Sequence, residues 1–287
     1  MRFSIVTAFQ PVDHLIALAR AADELGYHAI SVPDHVVDLE ELSTPYPYTA
    51  DGTRRWKIEA EWPDPWVLIG ALAAVTTRIR FFTSVYVMAM RNPFQVAKSV
   101  GTAAVISGNR VSLGVGIGWC KDEFELLGED FHTRGKRTDE GIALMQALWQ
   151  PGWTEFEGDY YTAPRMQMNP SPTARIPILI GGLSEVAFAR AARHDGWVGD
   201  IYTVQEACAH ASRLHEIRAE HGANGDFDII TALSDAFLPE HFARASEAGI
   251  TDVWTMPWAY YSGLDATLEE KLDGMRRFAD DVMAPAR

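Results

Sequence analysis

Cysteine is scarce in this chain of 287 residues, which contains only Cys120 and Cys208. Two cysteines cannot build a disulfide framework, and these two form no CxxC pair, so the composition favours a reducing compartment. No apolar run is long enough to span a membrane. The first residues, MRFSIVTAFQP, lack the basic and apolar regions of a signal peptide. We therefore expect a cytoplasmic protein.

Basic residues are also in deficit, with 25 Lys and Arg against 39 Asp and Glu and a formal net charge of −14. An acidic chain repels phosphate backbones and anionic lipid surfaces, so we expect neither a nucleic-acid nor a membrane partner. Glu123, His132 and Asp200 are conceivable metal ligands, but no ligand-spacing motif links them. We therefore predict no metal site.

Short apolar runs alternate with amphipathic stretches along the whole chain, which is typical of parallel βα units. No glycine-rich turn follows the first strand in TAFQPVD, which disfavours a doubly wound sheet. We predict a single (β/α)₈ TIM-barrel domain over residues 1–287. The predicted strands span residues 3–8, 28–33, 79–87, 110–116, 176–181, 196–200, 227–232 and 251–256. The predicted helices span residues 13–25, 65–75, 93–106, 138–148, 185–193, 205–221, 239–248 and 268–282.

Two segments depart from this alternation. Residues 36–63 form a long, proline- and aromatic-rich loop after the second strand, and residues 152–172 contain TEFEGDYYTAP, which predicts a β-hairpin. We assign both insertions to βα loops, which form the C-terminal face where barrel enzymes carry their active sites.

Polar or small residues follow several predicted strands. Asp34 and His35 end the second strand, either as a proton-transfer pair or as a helix cap with a structural histidine. Thr83 and Ser84 end the third strand, where small side chains either admit a flat ring or reflect ordinary barrel taper.

Glycines mark the fourth and fifth strands. Gly116 and Gly118 leave one face of the fourth strand and its end without side chains, which often indicates the close approach of a ligand. Gly181, Gly182 and Ser184 lie between the fifth strand and a helix. That turn is either an anion cradle or an ordinary βα turn capped by Ser184.

The segments AADELGYHAISVPDHV, IPILIGG and, above all, the long run from WPDPWVLIG to HTRGKRTDE resemble the luciferase-like monooxygenase superfamily. These are flavin- and deazaflavin-dependent enzymes on a (β/α)₈ barrel. YPYTADG, GWCKDEFELLG and RMQMNPSP are similar to its F420-dependent oxidoreductase branch of actinobacterial type. The resemblance implies a luciferase-like enzyme that binds coenzyme F420, or alternatively FMN, and acts on a small molecule as a homodimer.

The resemblance also implies roles for individual residues. Asp34 and His35 would face the cofactor ring, with His35 as the catalytic proton-transfer residue. A non-proline cis peptide at Ser84–Val85, beside Thr83, would support the ring. Gly116, Gly118 and Trp119 would form the wall of the cofactor pocket near the ring. Gly181, Gly182 and Ser184 would form the turn on the phosphate side.

One position departs from the family pattern. Trp119 stands where F420-dependent sugar dehydrogenases carry an acid, so their acid–base scheme does not transfer. Glu123 is nearby, in either a capping or a solvated role. Candidates to hold the polyanionic F420 tail are Arg165, Arg175 and Arg193. We expect F420-dependent hydride transfer, with FMN-dependent monooxygenation using O₂ or non-catalytic cofactor binding as alternatives.

Overall fold

The computed structural model describes residues 1–285 as a closed barrel of parallel strands. The barrel order is β1, β2, β3 with its short continuation β4, β5, β8, β9, β10 and β11, which pairs again with β1. A separate antiparallel pair is formed by β6 and β7. The strands are β1 Arg2–Val6, β2 Ala29–Val32, β3 Arg80–Thr83, β4 Tyr86–Val87, β5 Val111–Gly116, β6 Thr154–Glu157, β7 Thr162–Met166, β8 Ile178–Gly181, β9 Gly196–Tyr202, β10 Asp228–Leu233 and β11 Asp252–Thr255.

Helices cover the outside of the barrel, and the predicted (β/α)₈ architecture is confirmed. Each predicted strand and helix is present, with bounds that differ by a few residues. The short helix α4 lies in the acidic run after β5, outside the eight predicted helical spans. The helices are α1 Leu15–Leu25, α2 Pro65–Ala74, α3 Pro93–Ile106, α4 Lys121–Leu126, α5 Arg134–Leu148, α6 Glu185–Ala191, α7 Val204–Glu220, α8 Pro239–Glu247 and α9 Leu268–Phe278. No helix among residues 1–285 is both long and apolar enough to cross a membrane.

Local sequence signals explain where the helices begin. Asp64 accepts hydrogen bonds from the N–H groups of Trp66 and Val67, and Pro65 occupies the first helical position of α2. Asn92 caps α3 in the same way. A polar cap followed by proline satisfies the free N–H groups of the first turn without losing an internal bond. These caps fix the points at which the chain leaves the barrel rim.

The predicted hairpin exists, but its assignment to a βα loop is wrong. β6 and β7 follow α5 and precede β8, so the hairpin belongs to an αβ connection. Glu140 of α5 accepts hydrogen bonds from the N–H groups of Asp159, Tyr160 and Tyr161, which fixes the hairpin against the outer helix layer. The sequence signal identifies a turn correctly but carries no information about which end of the barrel it follows.

The close contact of β3 with β5 depends on a missing side chain at Gly114. A Cβ atom there would lie 1.8 Å from the carbonyl oxygen of Thr83. The Thr83 hydroxyl accepts from the Gly114 N–H at 3.0 Å and donates to the Gly114 carbonyl at 2.7 Å. Glycine is therefore required for the barrel to close at this point.

We predict that Gly114→Ala costs roughly 3 kcal/mol of unfolding free energy, because backbone atoms of β3 must move to admit the methyl group. Gly70→Ala in α2 is the matched control, since nothing lies within 4 Å of its added Cβ. It should be neutral or stabilise by up to about 1 kcal/mol. Urea unfolding measures both variants, and equal stabilities would contradict the prediction.

Candidate functional site at the carboxyl rim of the barrel

A buried carboxylate anchors the rim. Asp34, which follows β2, accepts two hydrogen bonds from Arg91, at 2.8 and 2.7 Å, and one from the Val87 N–H of β4 at 2.9 Å. Burial raises the pKa of Asp34, while the Arg91 guanidinium and the Val87 N–H oppose that rise. The carboxylate therefore joins the ends of β2 and β4, and its contacts leave it no part in proton transfer.

His35 is oriented by a second buried carboxylate. Its Nδ1 lies 2.9 Å from an oxygen of Glu123, in α4. The other Glu123 oxygen accepts from the N–H groups of Val36, at 2.8 Å, and Val37, at 3.4 Å. Burial raises the pKa of Glu123, but the hydrogen bonds from His35 and from these N–H groups lower it by more. The pKa is therefore below its ordinary value. An ionised Glu123 fixes the imidazole and leaves its Nε2 available to a ligand.

Aromatic rings surround this imidazole. The ring centroids of Trp62, Trp56 and Trp119 lie 4.8, 5.2 and 6.0 Å from that of His35. Tyr46 packs edge-on against Trp56 and Trp119, with both centroid distances 5.2 Å. We call Trp56, Trp62 and Trp119 the aromatic cage. It keeps the histidine side chain only 15% exposed, which favours chemistry with little water present.

The loop between β2 and α2 lies across the barrel mouth. Arg55 of this loop donates to Asp200 of β9 at 2.8 Å, and three barrel strands separate β9 from β2 in either direction. The Ser43 N–H donates to Asp122 of α4 at 3.1 Å. Within the loop, Asp38 accepts from Arg54 and, at 2.7 Å, from Trp56. The predicted long loop is thus an ordered cover held from opposite sides of the rim.

The predicted cis peptide is present at Ser84–Val85. The Val85 side chain lies between two glycines: an added Cβ would come within 2.4 Å of it at Gly116 and within 2.7 Å of it at Gly181. These two glycines therefore make room for Val85, and their contact with a cofactor stays a prediction. Val85 itself is partly exposed and packs against the interior cluster of the barrel. It offers an apolar platform at the mouth.

The two hydroxyls of the third strand have different positions. Thr83 is fully buried and bonded to Gly114, so its hydroxyl is not available to a ligand and the barrel-taper interpretation applies. Ser84 is partly exposed, and its hydroxyl is hydrogen-bonded to that of Ser31 in β2. Of the two, only Ser84 reaches the rim.

Two further glycines shape the strand ends. Gly118 has φ +83° and its carbonyl accepts from Arg134, and an added Cβ would clash with Val87 and Phe124. Gly182 has φ +117°, and its carbonyl accepts from Trp197 at 2.8 Å. Both backbone conformations favour glycine, so both residues serve the local turn geometry.

Ser184 caps α6 by accepting from the Ala187 N–H at 3.2 Å. The next residue, Glu185, is acidic and exposed, and it is bonded to Arg213. A carboxylate in the first turn competes with an anionic ligand. The geometry supports the capped-turn interpretation of residues 181–184 and leaves phosphate binding there a prediction.

The arginines expected to hold an anionic tail do not lie at the rim. Arg175 precedes β8 and pairs with Asp195, and Arg193 follows α6, so both lie at the amino end of the barrel. Arg165 lies on the hairpin, over the ring of Trp153. This expectation is wrong, because the hairpin and these chain positions belong to αβ connections. The three conceivable metal ligands do not converge either: Glu123 bonds His35, Asp200 bonds Arg55, and His132 packs on Phe131.

Several buried polar atoms near the mouth lack a partner among residues 1–285. They include the indole N–H of Trp62, in contact with His35, and the amide oxygen of Gln10, which follows β1. Buried polar groups are normally hydrogen-bonded. These atoms are therefore positioned to bind polar groups of a ligand.

The sequence did not predict three side chains that bond residues of the candidate site. Glu123 was expected to be solvated or capping, yet it is buried against His35. Arg91 and Arg55 were not identified at all. The apolar Phe124 next to Glu123 was a local signal that this segment is buried. The pairs Arg91–Asp34 and Arg55–Asp200 join positions 57 and 145 residues apart, so no local signal indicates them.

Comparisons with known proteins relate the chain to one family and to several solved structures. The sequence profile of the family described as luciferase-like monooxygenase matches residues 1–237. A protein of Mycobacterium tuberculosis, named as uncharacterized, is 38% identical over 288 residues and covers 99% of both chains. An F420-dependent secondary alcohol dehydrogenase, solved with an F420–acetone adduct, has a TM-score of 0.74 at 16% identity and covers 100% of this chain and 99% of its own. The oxygenating constituent of 3,6-diketocamphane monooxygenase from Pseudomonas putida, solved with FMN, has a TM-score of 0.62 at 17% identity, with coverage of 96% and 84%. The two solved structures share the fold.

We predict that Glu123 contributes stability that depends on pH. Its pKa is lowered in the folded state, so the contribution is complete above the unfolded value near 4.5 and is lost as the pH falls through the lower folded value. Glu123→Gln should cost about 2 kcal/mol at pH 7 and progressively less towards pH 3. Urea unfolding across that range tests this, with the exposed Glu125→Gln on the same helix as control. A cost for Glu123→Gln that stays constant with pH would contradict the assignment.

Proposed function

The chain belongs to the luciferase-like monooxygenase family, and we propose that it is an F420-dependent oxidoreductase that moves a hydride to or from a small organic substrate. The observation that carries the proposal is the His35–Glu123 pair inside the aromatic cage. A histidine held at Nδ1 by an ionised carboxylate and largely shielded from water is suited to general acid–base catalysis.

The residues at the mouth fit a flat ring with a polar edge. Val85 provides an apolar platform at the cis peptide, and the Trp62 N–H and the Gln10 amide oxygen are buried polar atoms without partners. The deazaflavin, when bound, supplies a ring carbon that accepts or donates a hydride. Ser84, Val85 and the cage would hold the ring, and Asp34 fixes their positions through Val87.

His35 has a defined task in this scheme. With an alcohol as substrate, its Nε2 would take the hydroxyl proton when the carbon that bears this hydroxyl gives up a hydride to the bound cofactor, and it would return that proton in the reverse reaction. Glu123 remains ionised and stabilises the charged imidazole that forms. The loop tied down by Arg55 and Asp200 excludes water during the transfer.

FMN-dependent monooxygenation is the second candidate. The observation that favours it is the position of Arg165, Arg175 and Arg193 away from the rim, since the polyanionic tail of F420 calls for cations near the mouth. The similarity to an FMN-bound monooxygenase supports the same candidate. The longer structural match to an F420-dependent dehydrogenase supports F420.

Titration of the purified protein with F420 and, separately, with FMN tests the choice of cofactor. We expect F420 to bind, with changes in its absorbance and fluorescence, and to exchange hydride without oxygen. Tight binding of FMN together with oxygen consumption by the reduced complex would favour the monooxygenase instead. If neither compound binds, both candidates are wrong.

His35→Ala should lower kcat by at least about 100-fold, the usual contribution of a general acid–base group, and leave cofactor affinity within a few-fold of wild type. Glu123→Gln should lower kcat less, because the imidazole remains but loses its charged partner. Glu125→Gln, exposed and paired with Lys121, is the control that should retain full activity. Unchanged turnover in His35→Ala would exclude the catalytic role and point to non-catalytic cofactor binding.

A further inference from the structure

The end of the barrel opposite the rim contains a cavity. Barrel interiors are usually filled by bulky branched side chains, but here the basal layer carries small residues at Ala29 and Ser112. The result is a cavity of about 320 Å³ in the amino end of the barrel, lined in part by Ala29 and Ser112.

Charged groups line the outer end of this cavity, and one of them has no counterion. The Arg80 guanidinium makes no hydrogen bond and no ion pair with any residue between positions 1 and 285. Arg2 pairs with Asp228, donates to the Thr251 hydroxyl at 3.0 Å, and has its Nε 3.8 Å from a carboxylate oxygen of Asp252. His28 completes the group, and burial together with Arg2 and Arg80 lowers its pKa to about 4. Among the described residues that line the cavity, Arg80 therefore brings unpaired donors to it, with a neutral histidine beside it.

The two carboxylates of the cavity already have partners. Asp228 accepts from Arg2 and, at 3.2 Å, from Thr251. Asp252 is fully buried and accepts from the Ser4 hydroxyl, at 2.8 and 2.9 Å to its two oxygens. Neither acid lies within ion-pair distance of Arg80. A cation without a counterion is unusual in a chain with an excess of acids, which makes this position a candidate anion site.

The inner end of the cavity is apolar. Phe82, Leu179 and Ile230 line it, and they belong to the interior cluster that separates this cavity from the rim. On the outer side, a pocket of about 670 Å³ shares Arg2, His28 and Arg80 with the cavity, which gives a route from solvent. A ligand that fits both ends has an anionic head and a small apolar body.

We propose that this basal cavity binds a small organic carboxylate. Its carboxylate group lies against the guanidinium group of Arg80, and its apolar body packs against Phe82, Leu179 and Ile230. The space is within the range of small-molecule sites. The site is distinct from the rim and does not depend on the cofactor assignment.

Benzoate is the probe, used with the cofactor-free full-length chain, and benzyl alcohol is its neutral counterpart. Isothermal titration and thermal unfolding should show that benzoate binds and raises the melting temperature, as a ligand specific to the folded state does. Benzyl alcohol should bind at least tenfold more weakly. Arg80→Met should weaken benzoate binding at least tenfold, whereas Arg165→Met, on the outer hairpin, should leave it unchanged.

Two further measurements locate the ligand. Ser112→Leu fills the cavity while Arg80 stays in place, and it should abolish benzoate binding. In the wild-type protein at pH 7, bound benzoate should shift the NMR signals of the His28 ring, and this shift should be absent in Arg80→Met. Equal affinity in wild type and Arg80→Met would overturn the proposal. So would an absence of binding at concentrations that saturate a millimolar complex, or inorganic phosphate that displaces benzoate at equal concentration.

Discussion

The rim of this barrel depends on the buried carboxylate of Asp34. Its two bonds to Arg91 and its bond from the Val87 N–H join the end of β2 to the segment that follows the cis peptide at Ser84–Val85. Breaking a buried pair of this kind typically costs 3–5 kcal/mol, about the scale of a large single-site effect. Because His35 is the next residue, the bonds of Asp34 also fix the backbone position from which the His35 side chain extends. The position of the His35 backbone therefore depends on this ion pair.

Asp34 and His35 are adjacent in sequence but have different structural positions. Asp34 points into the protein and holds the scaffold, while His35 points into the aromatic cage and is oriented by Glu123. The loop over the mouth adds the third element, because its aromatic side chains form most of the cage and its Arg55 reaches Asp200 on the far side. The loop thus packs around the histidine, while Glu123 of α4 sets the orientation of its ring.

The sequence predicts the architecture well because the relevant signals are local. Apolar runs such as IRFFTSVYV, helix caps such as Asp64 and Asn92, and the polar ends of strands can each be recognised within a few residues. The rim positions of Asp34, His35 and Ser84 followed from strand ends alone. The cis peptide followed only from the family resemblance.

What the sequence did not predict are contacts between distant segments. Gly116 and Gly181 indicated close packing correctly, but only the coordinates identify Val85 as the neighbour that needs the space. The partner of His35 lies 88 positions away, in Glu123. The hairpin at 154–166 and Arg165 were assigned to the wrong end of the barrel, because a turn signal does not reveal whether it follows a strand or a helix.

The most direct test of the central claim is ¹⁵N NMR of the His35 ring in the wild-type protein and in Glu123→Gln. The account predicts that neutral His35 carries its proton on Nδ1, towards Glu123, and that adding the cofactor perturbs Nε2. It also predicts that the preference for this tautomer weakens in the variant. A proton on Nε2 in the wild-type protein, with a spectrum unchanged by Glu123→Gln and by the cofactor, would contradict it.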